Sequence, residues 1–264
     1  MAGAVEPGHD LPYTGFTLPI QIRHAPLVLL IFIAGCGGSS NIYQGMDAPA
    51  LFRMAQDEAV EEEHDNAIRT LDRLLLAYGD WSGVPDARLL LADMRYEKEE
   101  YLTAASEYRR FLDRYPGHPR APEAALGRCR SYAELSPRPE RDQTYTRRAL
   151  TECSNMASDF AGTSQAEEAA EHAQEMRAKL AEKDYLNGQF YLSRDLPDSA
   201  IKYFEFVLDR YPESEFAPRA LLGIYEANTQ IGYDDLADEA RERLLARYPE
   251  SPAADELRTD DGRI

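Results

Sequence analysis

Apolar residues along most of this chain recur at helical spacing, and a Tyr-Pro pair interrupts them at intervals. Three segments align without gaps around this pair: Phe111–His118, Val207–Ser214 and Leu244–Ser251. Because proline cannot continue a helix and disfavours the α conformation in the residue before it, each pair marks the end of a helix. The sequence therefore predicts several helices that share one type of ending.

An alanine precedes each of these helix ends at a fixed distance. Ala104, Ala200 and Ala237 each stand twelve residues before the proline of their segment. The same frame finds a first copy at Ala67, with Gly79 in place of the proline, and leaves room for a longer third copy between the first two of those alanines. Large apolar residues follow four and seven positions after the alanine, on the same helical face. These pairs are Leu71 with Leu74, Tyr108 with Phe111, and Phe204 with Val207.

The five copies predict ten helices arranged in pairs. Strand signals are nearly absent, and the seventh helix is unusually long because only Gly188 and no proline interrupts its pattern. The predicted helices cover residues 50–62, 64–78, 85–98, 101–115, 121–135, 141–160, 164–193, 196–211, 215–231 and 234–248.

This pattern resembles the tetratricopeptide repeat, a helix-turn-helix unit of about 34 residues. In that repeat, small residues let the two helices touch and a large apolar residue packs against the next unit. The fourth copy matches best, with Gly188 and Ala200 at the small positions, Phe204 at the large position and Pro212 at the end. The fifth copy departs from the pattern, because Arg241 holds its large apolar position. The resemblance implies an all-α tetratricopeptide-repeat superhelix of about five helix pairs, the third and fourth enlarged.

An apolar run of eleven residues, Ala25 to Gly35, follows Arg23 and His24 near the start of the chain. It is too short to cross a bilayer as a helix, which takes about 20 residues, and its order is that of a signal peptide. The segment Ile33-Ala34-Gly35-Cys36 resembles the bacterial lipobox, which implies cleavage before Cys36 and a lipid on its thiol and amino groups. The predicted divisions are a signal peptide at 1–35, a lipidated cysteine and flexible tether at 36–49, a repeat solenoid at 50–256 and a frayed tail at 257–264.

Two cysteines remain once Cys36 is acylated. Cys129 and Cys153 fall at a small and a large packing position of the third copy, where a free thiol acts as a small hydrophobic group. We therefore predict that both are packing residues. A disulfide between them, formed in an oxidising periplasm, is the alternative.

Charge and side-chain chemistry narrow the class of function. The formal net charge of −18 argues against nucleic acid as a partner, because an anionic chain repels polyphosphate. The histidines after residue 36 (His64, His118 and His172) lack metal-ligand or catalytic spacing, and there is no glycine-rich phosphate loop. The acidic run at 58–65 indicates a solvated helix end rather than a metal site. The sequence predicts a protein that is not an enzyme and carries no cofactor other than the lipid on Cys36.

The concave face of a repeat superhelix is lined mainly by the first helix of each pair, and it binds an extended segment of a partner. Aromatic and amide groups on this face suit a peptide. The alternative is that about half of these residues only pack neighbouring helices. The candidates for partner contact are Phe52, Gln56, Leu89, Asp93, Tyr96, Arg130, Tyr185, Gln189 and Glu226, with Leu126, Ala133, Leu192, Leu222 and Thr229 on the same face.

The lipobox and five repeats together resemble the BamD family, the lipoprotein subunits of the β-barrel assembly machinery of Gram-negative outer membranes. Its most specific segments here are Arg141–Thr144 with Thr146 and Ala149, and Leu180–Tyr185 running towards Tyr191. The resemblance implies a lipid-anchored protein on the periplasmic face of the outer membrane. It also implies binding to the barrel subunit BamA and other subunits, chiefly through the C-terminal repeats, and to unfolded outer-membrane proteins through the N-terminal repeats.

An alternative interpretation is that the protein is a tetratricopeptide lipoprotein adaptor of the Tol and peptidoglycan cell-division system. Tyr-Pro-Glu-Ser turns occur there too, so they do not discriminate, but the N-terminal coiled coil expected of the Tol-associated type is missing. Two departures from the BamD pattern are Tyr78-Gly79 in place of Tyr-Pro after the first repeat, and Arg241 in the last repeat.

Overall fold

The computed structural model describes residues 43–260, and within that range every regular element is a helix. The all-α prediction is confirmed. The helices are α1 (Ala48–Val60), α2 (His64–Ala77), α3 (Val84–Glu97), α4 (Tyr101–Arg114), α5 (Ala121–Glu134), α6 (Thr144–Asp159), α7 (Ser164–Leu192), α8 (Pro197–Arg210), α9 (Phe216–Ile231), α10 (Asp234–Arg247) and α11 (Pro252–Asp260).

The second helix ends at a tyrosine in four of the five repeats, and in the third repeat α6 ends at Phe160. Helices α4, α8 and α10 end with Tyr115, Tyr211 and Tyr248, whose backbone N–H donates to the carbonyl four residues earlier. Tyr78 ends α2 in the same conformation although Gly79 follows it. The first repeat therefore keeps the shared ending without the proline.

Odd-numbered and even-numbered helices form two layers. Each helix packs against the next one along the chain, and the odd-numbered helices also contact one another in sequence from α1 to α11. Among the helices at residues 48–260, no even-numbered helix contacts another even-numbered helix. The odd-numbered helices therefore form the tighter, inner layer of the solenoid, as a concave face requires.

Close approach between helices depends on glycine, as the repeat pattern predicts. The ring of Phe204 on α8 lies where a Cβ atom on Gly188 of α7 or Gly223 of α9 would stand. Tyr108 on α4 fills the corresponding space beside Gly127 of α5. Phe204 and Tyr108 therefore each pack one repeat against the next.

The long seventh helix is continuous over 29 residues, which at about 1.5 Å per residue is roughly 43 Å. Thr163 begins it, because the side-chain oxygen of Thr163 accepts a hydrogen bond from the N–H of Ala166 at 3.1 Å. The helix packs against α5 and α6 and also against α8 and α9, so it joins the third repeat to the last two.

The prediction that Cys129 and Cys153 are free packing residues is wrong in one respect. Both are fully buried in the core of the third repeat, as predicted, but they form a disulfide between α5 and α6. The two Cα atoms are 4.8 Å apart, because small residues let these helices approach closely. The same packing that makes both cysteines core residues also brings their sulfur atoms within bonding distance.

An eleventh helix, which the sequence pattern did not predict, ends the described chain. The expected tail at 257–264 begins inside α11, where Ala253, Ala254 and Leu257 are buried. Ser251 caps the helix, since its Oγ accepts a hydrogen bond from the N–H of Ala254 at 3.2 Å. A nine-residue helix offers too few turns for its periodicity to stand out in the sequence.

The N-terminal predictions fall mostly outside the described residues. The signal peptide, Cys36 and the tether up to residue 42 lie there. From residue 43 the expected tether is docked rather than free, since Tyr43 and Met46 pack against the core of the first repeat. The hydroxyl of Tyr78 donates to the carbonyl of Met46 at 2.7 Å. Within residues 43–260, no helix has the length and apolarity needed to span a membrane.

Candidate functional site

A small cavity on the inner layer joins three of the predicted contact residues. It lies between α3 and α5, has a volume of about 220 Å³, and is lined by Asp93, Tyr96 and Arg130. Leu126, which shares their helical face, also lines it. Tyr108 reaches it from α4, with its ring against Gly127. We call this cavity the concave pocket.

Asp93 has an unusual environment in the concave pocket. Burial raises the pKa of its carboxyl to about 6, even though the hydroxyl of Tyr108 donates a hydrogen bond to its Oδ1 at 2.7 Å. Burial and the adjacent Asp93 carboxylate hold the pKa of Tyr108 well above its ordinary value, so Tyr108 remains a donor. The pocket therefore contains a carboxyl group whose charge changes close to neutral pH.

The remaining polar groups of the concave pocket come from Tyr96, Glu97, Glu123 and Arg130. Arg130 pairs with Glu168 on α7, with its Nε 2.6 Å from Oε1, so part of its charge is balanced. Tyr96 packs edge-on against Tyr101 at a centroid distance of 5.2 Å, and burial raises the pKa of its hydroxyl to about 12. Fixed donors and acceptors around an apolar floor suit a peptide backbone.

The predicted contact residues of the first two repeats are not all available to a partner. Gln56 is exposed on α1, and Phe52 is half-buried against the ring of Trp81, with centroids 5.5 Å apart. Leu89 is completely buried in the core of the second repeat. The prediction of a partner contact at Leu89 is therefore wrong, because the side chain packs α3 against α4.

The predicted residues on α7 and α9 form an acidic, partly aromatic part of the inner layer. Tyr185 is half-buried between Phe204 and Phe216, with centroid distances of 5.8 and 5.6 Å. Partial loss of water and the neighbouring Glu256 carboxylate raise the pKa of Glu226, although the residue remains exposed. Gln189 is half-buried one turn after Tyr185 on the same helix.

A ladder of four aromatic rings that the sequence reasoning missed lies on α7 and α8. Phe190 contacts Tyr191 edge-on at 5.4 Å, Tyr191 stacks on Tyr203 at 5.3 Å, and Tyr203 meets Phe206 at 5.7 Å. Phe190 is 50% exposed. We call these four residues the aromatic strip. In the sequence, α7 and α8 carry more aromatic residues than the core position Phe204 requires, and this excess was the available signal.

Cationic side chains cover the aromatic strip. The guanidinium of Arg194 lies 4.4 Å from the ring centre of Phe190, and that of Arg210 lies 4.3 Å from Phe206. The ammonium of Lys202 lies 6.0 Å from the same Phe206 ring. Arg210 also pairs with Asp184 at 3.6 Å. In a chain with a net charge of −18, three cations over partly exposed rings form a distinct surface.

A buried amide organises the loop between α5 and α6. The Nε2 of Gln143 donates to the carbonyl of Arg138 at 2.8 Å, and its Oε1 accepts from the hydroxyl of Thr146 at 2.6 Å. Lys179 on α7 donates to the Oγ of Ser136 at 3.0 Å. These contacts hold the segment Arg141–Thr144 against the long helix α7. It lies next to the segment Leu180–Tyr185.

The model of a known protein family matches most of the repeat region. The model of the family described as "YfiO: Outer membrane lipoprotein" matches residues 44–244, which is more than half of the chain. The chain belongs to the YfiO/BamD family. The matched range includes the concave pocket, the aromatic strip and the loop organised by Gln143.

Several YfiO/BamD relatives resemble the chain over most of its length. An "Outer membrane protein assembly factor BamD" from Caulobacter vibrioides is 26% identical, over 85% of this chain and 75% of the relative. Proteins of the same name from Xylella fastidiosa (strain Temecula1) and Rickettsia prowazekii are 25% and 22% identical. These alignments cover 90% and 88% of this chain and 85% and 92% of the relatives.

Solved tetratricopeptide-repeat structures are similar to this chain at low TM-scores. The structure described as "TPR2AB-domain:pHSP90-complex of yeast Sti1" has a TM-score of 0.41 and 15% sequence identity. The alignment covers 78% of this chain and 80% of the Sti1 chain. YrrB, described as a TPR protein with an unusual peptide-binding site, has a TM-score of 0.33 and 16% identity, over 81% and 92% of the two chains.

Metal binding has no support in the described part of the chain. Across residues 43–260, no group of three or more His, Cys, Asp or Glu side chains is placed to hold a metal ion.

Proposed function

We propose that this protein is a non-enzymatic scaffold of the machinery that inserts β-barrel proteins into the outer membrane. The observation that carries the proposal is the family match over residues 44–244, which spans both candidate surfaces. Relatives along most of the chain bear the name of outer membrane protein assembly factor BamD. In this proposal the lipid on Cys36 anchors the solenoid at the periplasmic face of the outer membrane.

The aromatic strip is the proposed docking surface for the barrel subunit, a BamA-like protein with periplasmic domains. Exposed aromatic rings and arginines contribute most strongly to protein interfaces, because they bury a large apolar area and also form directed contacts. Arg194 and Lys202 give the surface a positive charge that an acidic patch on a partner would match, whereas Asp184 balances part of the charge of Arg210. This assigns the docking to the C-terminal repeats.

The concave pocket is the proposed contact for unfolded outer-membrane proteins. An extended segment running along the inner layer would present backbone groups to Tyr96 and Arg130 and a side chain to the cavity beside Leu126. The pocket lies on α3 and α5, so substrate and barrel subunit would occupy different repeats. One chain could then hold both at once.

A pull-down from detergent-solubilised envelopes tests this proposal. We expect the wild-type chain to recover a large β-barrel protein with periplasmic domains. The double variant Phe190→Ala/Phe206→Ala should recover at least about tenfold less of it, which corresponds to about 1.4 kcal/mol.

The matched control is Leu102→Ala, which removes a side chain that is 53% exposed on α4, away from the strip. It should recover as much barrel protein as the wild type. Recovery of only Tol or peptidoglycan partners by the wild type would refute the assembly function. Equal loss in the strip and control variants would refute the docking surface alone.

A further inference from the structure

A second cavity lies in the outer layer of the last two repeats and shares helix α8 with the aromatic strip. It has a volume of about 190 Å³ and opens between α8 and α10, with α9 as its floor. The two outer helices make no contact with each other among the described residues, so the groove between them stays open. Its volume is below the roughly 300–1,000 Å³ of small-molecule sites, and it suits a single side chain.

The floor of this cavity contains a polar group without a partner. Asn228 on α9 lines the cavity and is only 3% exposed. Its Nδ2 donates to the carbonyl of Ile224 at 3.0 Å, which fixes the orientation of the amide. Its Oδ1 is buried and accepts no hydrogen bond. A buried acceptor without a donor costs stability, so an apolar residue would serve the fold better at this position.

The walls are apolar and the rim is acidic. Ile201, Tyr233 and Leu236 line the walls, and Tyr233 and Leu236 are 55% and 49% exposed at the mouth. Three exposed carboxylates, those of Asp198, Glu205 and Glu239, line the rim with Arg243 as the single cation among the lining residues. In the described chain, none of these three carboxylates forms an ion pair.

We propose that this cavity, the Asn228 socket, takes one arginine side chain of a basic polypeptide segment. The methylene stem of arginine would lie against Ile201 and Leu236, as long cationic side chains lie on apolar surface. Its guanidinium carries five donors in a planar fork, so it can pair with more than one rim carboxylate while an N–H is directed towards the amide of Asn228 on the floor. The three rim carboxylates against one cation give the charge complementarity. The inference does not depend on the proposed assembly function.

Short synthetic peptides that differ at one position test the socket. Rhodamine-labelled peptides with a central arginine, citrulline or glutamate would be titrated with the full chain in detergent micelles, and binding followed by fluorescence anisotropy. Citrulline has the shape of arginine without its charge. We expect the arginine peptide to bind at least about tenfold more tightly than the citrulline peptide, and the glutamate peptide to bind most weakly.

Variants locate the binding. Glu205→Gln/Glu239→Gln removes two rim charges without touching the core and should weaken the arginine peptide by about fivefold or more. Asn228→Leu should weaken it similarly while the thermal midpoint stays the same or rises, because an unpaired buried acceptor is lost. The charge-matched control is Glu242→Gln/Glu250→Gln, which alters exposed carboxylates outside the cavity and should leave binding unchanged.

Three results would overturn the proposal. One is equal binding of the arginine and citrulline peptides. Another is no binding of the arginine peptide up to about 1 mM, the weak end of specific recognition. The third is an equal loss of arginine-peptide binding in the rim and control variants. That result would mean that the overall negative charge of the chain, rather than the socket, attracts the peptide.

Discussion

Asp93 is the residue whose environment differs most from what its position in the sequence suggests. On a helical wheel it is one more polar residue of the inner face, yet the structure buries its carboxyl beside Tyr108. The hydrogen bond keeps it oriented, while the loss of water favours its neutral form. A carboxyl group in this state makes the stability of the concave pocket depend on pH.

The direction of that dependence follows from the raised pKa. The folded chain binds the Asp93 proton more tightly than the unfolded chain does, since its pKa is about 6 against an ordinary value of 3.8. The free energy of unfolding contributed by this group therefore falls as pH rises from about 4 to about 6, by at most about 3 kcal/mol, and changes little above that.

Asp93→Asn should remove this dependence. Asparagine keeps an acceptor for Tyr108 without the charge, so we expect the variant to be about 1–3 kcal/mol more stable than wild type at pH 7 and no more stable at pH 4. Urea unfolding across this pH range measures the difference. Asp57→Asn, an exposed change on α1, is the control. The same pH slope in wild type and Asp93→Asn would contradict the assignment.

At the scale of the helix, contacts between repeats depend on glycine. Gly188→Ala places a Cβ atom in the ring of Phe204 and should lower the free energy of unfolding by about 1–3 kcal/mol. Gly117→Ala is the matched control, because a Cβ at that turn meets nothing within 4 Å, and its effect should stay within about 0.5 kcal/mol. Equal effects of the two substitutions would mean that Phe204 can move aside freely.

The disulfide between α5 and α6 should stabilise the enlarged third repeat. It closes a loop with a sequence separation of 24 residues, for which about 3 kcal/mol is expected. Cys129→Ala/Cys153→Ala should lower the free energy of unfolding by about 2–4 kcal/mol and abolish any effect of reductant. Wild type incubated with reductant during thermal unfolding should lose a similar amount. Two alkylatable thiols in the oxidised, unfolded wild type would contradict the bond.

The sequence predicted helices better than it predicted contacts between them. Tyr-Pro pairs and periodic apolar residues located ten helices, because proline and helical periodicity act within one element. Helix α11 was missed, since nine residues show little periodicity. The disulfide was only the less favoured alternative, and the burial of Leu89 was missed, because both depend on the distance between two helices, which sequence spacing along one helix does not define.

For the candidate surfaces too, the sequence predicted patterns within one helix better than contacts between helices. The inner-face pattern found Asp93, Tyr96 and Arg130 because one helical face repeats every three or four residues. The aromatic strip was missed because its rings come from two helices and stack only after α7 and α8 pack together. The lack of a hydrogen-bond donor for Oδ1 of Asn228 likewise depends on how the surrounding helices pack, which the sequence pattern does not give.

At the scale of the whole molecule, the long helix α7 joins two surfaces of different character. The concave pocket on the second and third repeats carries carboxyl and hydroxyl groups, whereas the aromatic strip on the fourth repeat carries rings and cations. Because α7 packs against α5 and also against α9, the two surfaces are held on one continuous framework. This arrangement fits a scaffold that presents one protein to another.

Depletion of the chain in its own cells is the most direct test of the central claim. The native gene would be placed under a repressible promoter, and outer-membrane fractions would be quantified by mass spectrometry as the protein disappears. We expect β-barrel proteins to fall in abundance in the outer membrane, while lipoproteins of the same membrane keep their level. Unchanged levels of β-barrel proteins after complete depletion would contradict a role in their assembly.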